Sequence, residues 1–206
     1  SANTFLFYFW RKDYYMKNFL LIILVVFIAS CSSSDKKPEE NKPQPALNKS
    51  NNSNAFNIAF DELMNNYYHL KDNFITESDT IINVYARKLI VNIDSLPLTT
   101  LKADTNVIAT AKATAQSILA ELNGLLAEKN IEAKRKSFAT LSEEMYDLIR
   151  TVQYDKATVY HAHCPMAFNG VGANWLSNSA DIKNPYIPKQ MLTCGEITDS
   201  INFAKK

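Results

Sequence analysis

Soft metal donors concentrate in one stretch of the sequence, residues 160–195. Sulfur-containing side chains stand at both of its ends, Cys164 with Met166 and Met191 with Cys194. Thiolates and thioethers match the softness of Cu(I) better than that of Mg²⁺ or Ca²⁺, which prefer oxygen. These residue types predict a site for Cu(I) or another soft metal ion, with Cys164, Met166, Met191 and Cys194 as ligands.

Two of the three histidines lie in the same stretch. His163 is adjacent to Cys164 in sequence and is therefore a further candidate ligand. His161 is a secondary candidate, because residues two apart on an extended strand face the same side. Trp175 is expected to pack the stretch against the rest of the domain, and it would also shield a soft metal from water.

The two cysteines support a second interpretation, in which Cys164 and Cys194 form a structural disulfide. Disulfides persist in exported proteins, and closing this loop would stabilise the fold by about 3–4 kcal/mol in the loop-entropy model. The neighbouring methionines favour the metal site, because a structural disulfide has no need of them. The sequence leaves both interpretations open.

Motifs of the common enzyme classes are absent from the chain. It has no C-x-x-C, no C-x-x-C-H, no Gly-rich phosphate loop and no H-E-x-x-H. A nucleophile pair of Cys164 and His163 would lack a third group to orient the histidine. We therefore predict that the protein is not an enzyme. The net charge of +1 also argues against a nucleic-acid partner.

Apolar residues upstream of this stretch recur at helical spacing and predict four helices. On the first helix the repeating positions are Phe56, Phe60, Leu63, Tyr67, Leu70 and Phe74. A capping signature at 76–79 is expected to start the second helix, Asp104 or Thr105 the third, and the turn at 129–130 the fourth. The basic run 134–136 is expected to face solvent.

Short connections between four such helices predict an antiparallel four-helix bundle. After Gln153 the helical pattern ends, and glycine and proline residues punctuate a long C-terminal cap loop over 154–195. A loop of this length in a compact domain indicates a function. A short final helix is expected after Gly195. The predicted fold class is therefore all-α.

The first 54 residues predict export and tethering. Residues 1–15 fit no later pattern and are treated as an upstream extension of the translation start. Residues 16–30 have the charge, apolar run and small residues of a secretory signal peptide.

Small residues before Cys31 resemble the lipobox of bacterial lipoproteins, in which that cysteine carries the lipid. Residues 31–54 are a low-complexity tether, and the folded domain spans 55–206. The expected location is the cell envelope, with the domain anchored to a membrane through Cys31 as a periplasm-facing or outer-membrane lipoprotein.

Several segments after residue 55 resemble the domain of unknown function 3347 family, which occurs in periplasmic proteins and in adaptor subunits of copper and silver efflux systems. The similar segments are YYHLKD at 67–72, KRKSF at 134–138 followed by Leu141-Ser142, CPM at 164–166, GANWLS at 172–177, NPY at 184–186 and MLTCG at 191–195. Ile187-Pro188 departs from the family pattern, which has glycine after NPY. The resemblance implies a metal-efflux complex as partner and sequestration or handover of Cu(I) or Ag(I).

Overall fold

The computed structural model describes residues 52–203, in which four long helices dominate. They are α1 (Asn54–Thr76), α2 (Asp79–Asp94), α3 (Thr105–Ala127) and α4 (Ile131–Val152), with one 3-10 turn (Leu98–Thr100) before α3. Side-chain oxygens of Ser53, Asp104 and Asn130 accept hydrogen bonds from first-turn backbone N–H groups and so cap α1, α3 and α4.

The predicted capping signature at 76–79 is wrong in detail. Thr76 is the last residue of α1, and Glu77 follows it in the left-handed conformation. Ser78 precedes α2 but makes no side-chain capping bond. The polar pattern marked the turn between the two helices correctly, because both a helix end and a helix start favour such residues.

Apolar stripes from the four helices meet in one core. All six positions predicted on the first helix are fully buried, together with Phe138, Leu141 and Met145 of α4. Each helix packs on the next one in sequence, α1 on α2, α2 on α3 and α3 on α4. Because the connections are short, this order of packing is that of an up-and-down helical bundle.

The chain after α4 contains a small antiparallel sheet, so the all-α prediction is only partly right. Its strands are β1 (Val159–Cys164), β2 (Ala173–Ser177) and β3 (Glu196–Ile201), in the order β2-β1-β3. Two short turns lie between them, α5 (Ala167–Gly170) and α6 (Pro188–Met191). The final helix expected after Gly195 is instead β3, whose side chains alternate between exposed and more buried positions.

A buried chain of hydroxyl groups fastens the sheet to the helices. The Leu176 backbone N–H donates to Tyr67 Oη at 3.0 Å, and Tyr67 Oη lies 2.7 Å from Ser142 Oγ. Ser142 Oγ in turn donates to the Phe138 carbonyl at 2.8 Å. Tyr67 therefore connects β2 to α1 and α4, and burial raises the pKa of its hydroxyl well above the usual range.

The basic run on α4 was predicted to face solvent, and this prediction is wrong for two of its residues. Lys134 and Arg135 are each only 2% exposed. Lys134 Nζ binds Asp79 Oδ1 at 2.6 Å and so links α4 to the start of α2. Arg135 donates to the carbonyls of Phe74, at the end of α1, and Pro185, in the cap. Only Lys136 of the three is exposed.

Arg135 also contacts two carboxylates. Its guanidinium lies 3.1 Å from Glu77 Oε1 and also pairs with Glu132 on its own helix. Glu77 binds Lys189 of α6 as well, and the Lys189 and Arg135 partners hold the pKa of Glu77 below its usual range. Arg135 is therefore the point where α1, α4 and the cap are joined.

The predictions for residues 1–15, 16–30 and Cys31 lie outside the described residues. Of the predicted tether, only its last residues are described, and Asn52 already donates a hydrogen bond from Nδ2 to the Val152 carbonyl at 2.8 Å. Within residues 52–203, none of the helices combines the length and apolar character needed to cross a membrane.

Candidate functional site

The two faces of β1 separate the cysteine from the histidines. Successive side chains of a strand point to opposite faces, so His161 and His163 share one face and Cys164 lies on the other. The register agrees, because His163 pairs with Asn174, whereas Trp175 pairs with Ala162 on the face of Cys164. The structure therefore does not bring His163 and Cys164 to one point.

Cys164 and Cys194 are brought together. Their Sγ atoms lie 3.2 Å apart, and both residues are free thiols. Cys164 at the end of β1 is 0% exposed, whereas Cys194 is partly exposed. The thiol–thiol hydrogen bond, burial and the charge of Cys164 raise the pKa of Cys194, against the opposing effect of the Met166 backbone N–H.

Asn184 holds the loop that carries Cys194. This fully buried side chain donates to the Cys194 carbonyl at 2.8 Å and accepts from the backbone N–H of Tyr186 at 2.8 Å. Its own backbone N–H donates to the Leu192 carbonyl at 2.7 Å. One amide thus fixes both the turn that begins at NPY and the segment that ends at Cys194.

Gly195 lets this loop approach the sheet closely. A Cβ at this position, where φ is +141°, would lie 2.7 Å from the His163 carbonyl oxygen and 2.8 Å from Trp175 Cη2. Any other residue would therefore push the loop away from β1 and β2. The close contact at Gly195 places the neighbouring Cys194 beside Cys164.

The backbones of the two methionines lie next to Cys194. The Met166 backbone N–H is hydrogen-bonded to the Cys194 thiol, and the Met191 carbonyl accepts from the Cys194 backbone N–H at 3.1 Å. Met166 is 52% exposed and Met191 is 46% exposed. Both side chains are therefore partly exposed to solvent, and neither fills the helical core.

His163 is held by polar groups. Its Nδ1 lies 2.6 Å from Asn174 Oδ1, while Asn174 Nδ2 donates to Glu143 Oε1. With the Asn174 amide in this orientation, His163 Nδ1 carries the hydrogen and donates to Asn174 Oδ1. The other ring nitrogen lies next to Gly172, where a Cβ would be 3.2 Å from Nε2. His163 therefore belongs to a network that leads to α4.

His161 lies close to Glu143, the carboxylate of the same network. The Thr198 hydroxyl donates to the His161 carbonyl, so Thr198 Oγ1 accepts from His161 Nδ1 at 2.9 Å. His161 stacks on Tyr146, and its Nε2 is 3.6 Å from Glu143 Oε1. This distance is too long for a hydrogen bond, but the imidazole, with Asn174, holds the pKa of Glu143 below its usual range.

Trp175 is 1% exposed and lies edge-on against Tyr186, with ring centroids 6.0 Å apart. Tyr186 in turn contacts Phe138 of α4. Trp175 therefore packs the cap onto the helices, as predicted. Its position over Gly195 also puts it on the same side of the sheet as the thiol pair.

Among residues 52–203, no group of three or more His, Cys, Asp or Glu side chains is arranged to hold a metal ion. A metal at the thiol pair would therefore rely on the two cysteines and on methionine sulfur. Sequence reasoning did not single out Glu143, Asn174, Asn184 and Gly195 as positioning residues. For the last three a signal existed, because they lie inside the segments that resemble the family.

Comparison with known proteins gives one match. Neither the search of curated proteins nor the search of solved structures returns a match to the chain. Residues 63–157 match the model of a family described as "Protein of unknown function (DUF3347)". The matched range contains most of α1 and all of α2, α3 and α4, and ends before β1. The resemblance noted in the sequence is confirmed over residues 63–157, which are similar to this family.

Proposed function

We propose that this protein is a membrane-tethered soft-metal-binding protein of the cell envelope that sequesters Cu(I) or Ag(I), or hands it to an efflux system, without catalysing a reaction. The observation that carries the proposal is the contact between Cys164 and Cys194, whose sulfur atoms are 3.2 Å apart although 29 residues separate them in sequence. Two adjacent thiols offer a soft monovalent ion two thiolate ligands.

The surroundings of the thiol pair favour a soft ion over a hard one. Met166 and Met191 are tied to Cys194 through backbone hydrogen bonds and keep about half of their surface exposed. The nearest imidazole in sequence, His163, is engaged with Asn174 on the other face of β1. We therefore assign the ligands to Cys164 and Cys194, with Met166 and Met191 as the candidates to complete the site.

Titration of the reduced full chain with Cu(I) under anaerobic conditions tests this function. We expect one Cu(I) to be held by the wild-type pair and binding to be nearly lost in Cys164→Ser. Met166→Leu and Met191→Leu keep the side-chain bulk without the thioether and should weaken binding with little change in stability. Equal affinities of wild type and Cys164→Ser for Cu(I) would refute the metal site.

The same titration should depend on pH. Thiolate ligation releases protons, so the affinity for Cu(I) falls as pH is lowered. Because contact with Cys164 raises the pKa of Cys194, this proton competition should extend above the ordinary range for a thiol. An affinity that is constant across neutral and alkaline pH would argue against thiolate ligands.

The thiol contact also supports a second candidate function, an interaction or structural lipoprotein whose cap is closed by a Cys164–Cys194 disulfide. A disulfide requires the sulfurs to approach to about 2.05 Å, a short movement from their present separation. In that case reduction should destabilise the domain, and the Met→Leu variants should change nothing in the Cu(I) titration.

The proposed membrane tether rests on the sequence before residue 52. Small residues before Cys31 predict cleavage in front of that cysteine and lipid attachment to it. Cys31→Ala should leave the precursor uncleaved, as seen by a larger mass in expressing cells. Normal maturation and unchanged membrane partitioning of this variant would overturn the lipid anchor. An efflux complex as partner is proposed from the family resemblance alone.

A further inference from the structure

We propose that Cys164 and Cys194 exchange with an external disulfide in a fixed order, in which Cys194 reacts first and Cys164 completes the reaction. The two sulfurs are within contact distance, but their access to solvent differs. Cys164 is 0% exposed at the end of β1, and Cys194 is partly exposed in the loop beside it. A disulfide-bearing oxidant can therefore reach only one sulfur of the pair.

The exchange proceeds in two steps. In the first, the Cys194 thiolate attacks one sulfur of the oxidant, forms a mixed disulfide and expels the other sulfur as a thiolate. In the second, the Cys164 thiolate attacks Cys194 Sγ and expels the remaining oxidant sulfur. Two electrons pass from the protein dithiol to the oxidant, and the two protons lost by the cysteines are taken up by its two thiolates.

The second step is favoured because the backbone holds both sulfurs in place. Cys164 is fixed in the central strand by pairing with Ala173. Cys194 is fixed by the hydrogen bond from Asn184 and by the close approach of Gly195 to the sheet. Held groups react as if at very high concentration, so the mixed disulfide should be resolved faster than a second oxidant molecule could react.

This inference deepens the proposed function at the same two residues. A disulfide consumes both thiolates, so the oxidised protein would have no thiolate left for Cu(I). Oxidation would then release the metal, and reduction would restore the site. Only this consequence rests on the proposed function, because the exchange itself needs no metal.

The test uses 5,5′-dithiobis(2-nitrobenzoate) as the disulfide and the full chain, with Cys31→Ala in every sample so that only the pair can react. The reduced protein with Cys164 and Cys194 intact should release two thionitrobenzoate ions per chain and retain no adduct by mass spectrometry. Cys164→Ala should release one ion and retain one adduct. Cys194→Ala should react at least tenfold more slowly until denaturant exposes Cys164.

Either of two results with these proteins would overturn the proposal. One is an adduct that stays on the intact pair, which would show that Cys164 does not resolve the mixed disulfide. The other is a Cys194→Ala variant with native circular dichroism that reacts as fast as Cys164→Ala. If either variant does not fold, the protein with both cysteines intact is instead alkylated briefly in its native state. Peptide mapping should then find the label on Cys194 and not on Cys164. Label on Cys164 would refute the order. The assay contains no metal, so its failure and a failed Cu(I) titration are separate results.

Discussion

Replacing Arg135 with methionine is expected to lower the free energy of unfolding by about 2–4 kcal/mol, because two buried carbonyl groups lose their donor. These are the carbonyls of Phe74 and Pro185, which Arg135 reaches at 3.1 and 2.9 Å. Methionine fills much of the space of the aliphatic stem, so the loss reports hydrogen bonds more than packing. Urea denaturation followed by circular dichroism measures it.

Two further substitutions sharpen this prediction. Arg135→Lys keeps the charge but replaces the planar fork of donors with a single ammonium, so it should recover only part of the lost stability. Lys136→Met is the matched control, because Lys136 is the exposed neighbour on the same helix. It should change stability by no more than about 0.5 kcal/mol, the usual range for a surface site. Similar effects of Arg135→Met and Lys136→Met would show that the guanidinium does not join the cap to the helices.

The sequence predicted the four helices well because their burial repeats at the helical period. Phe56 to Phe74 places an apolar residue on the same face at every turn, and each of these positions is buried. Asp104, one of the two residues predicted to cap α3, accepts from the N–H groups of Asn106 and Val107. Signals of this kind are local, so they can be recognised in the sequence without knowledge of the tertiary fold.

The sheet and the buried basic residues could not be predicted in the same way, because they depend on contacts between distant segments. β1 and β3 pair residues that are about 40 positions apart, such as Val159 with Ile201. Arg135 is buried because partners converge on it from two distant parts of the chain, Phe74 and Glu77 at the end of α1 and Pro185 in the cap. Charge alone favours solvent, and only satisfied partners make burial of a guanidinium favourable.

The candidate site was predicted in part. Residue chemistry singled out Cys164 and Cys194, and the fold places their sulfurs in contact. His163 was grouped with Cys164 because the two are neighbours in sequence. Neighbouring residues of a strand point to opposite faces, so His163 and Cys164 are separated. The two-residue spacing of His161 and His163 was the more informative signal, because it places both imidazoles on one face. Glu143 could not be identified from the sequence, because only tertiary packing brings α4 against the face of the sheet that carries the histidines.

Phe138 lies at the centre of an aromatic cluster that spans the helices and the cap. Its ring centroid is 4.8 Å from that of Phe74, 5.5 Å from that of Tyr67 and 5.9 Å from that of Tyr186. Phe138→Ala is expected to cost about 3–5 kcal/mol, the usual range for truncating a buried phenylalanine. Thr140→Ala, at an exposed position of α4, is the control and should be close to neutral.

The position of Phe138 also predicts how the protein unfolds. Tyr186 contacts both Phe138 and Trp175, so the cap and the helices share one packed cluster and should unfold in a single transition. In a Trp10→Phe background, fluorescence reports only Trp175, while far-ultraviolet circular dichroism reports the helices. The two signals should give the same midpoint in the parent protein and a lower, again shared, midpoint in Phe138→Ala. If the fluorescence transition of the parent instead precedes the loss of helix, the cap folds separately from the bundle and Phe138 does not couple them.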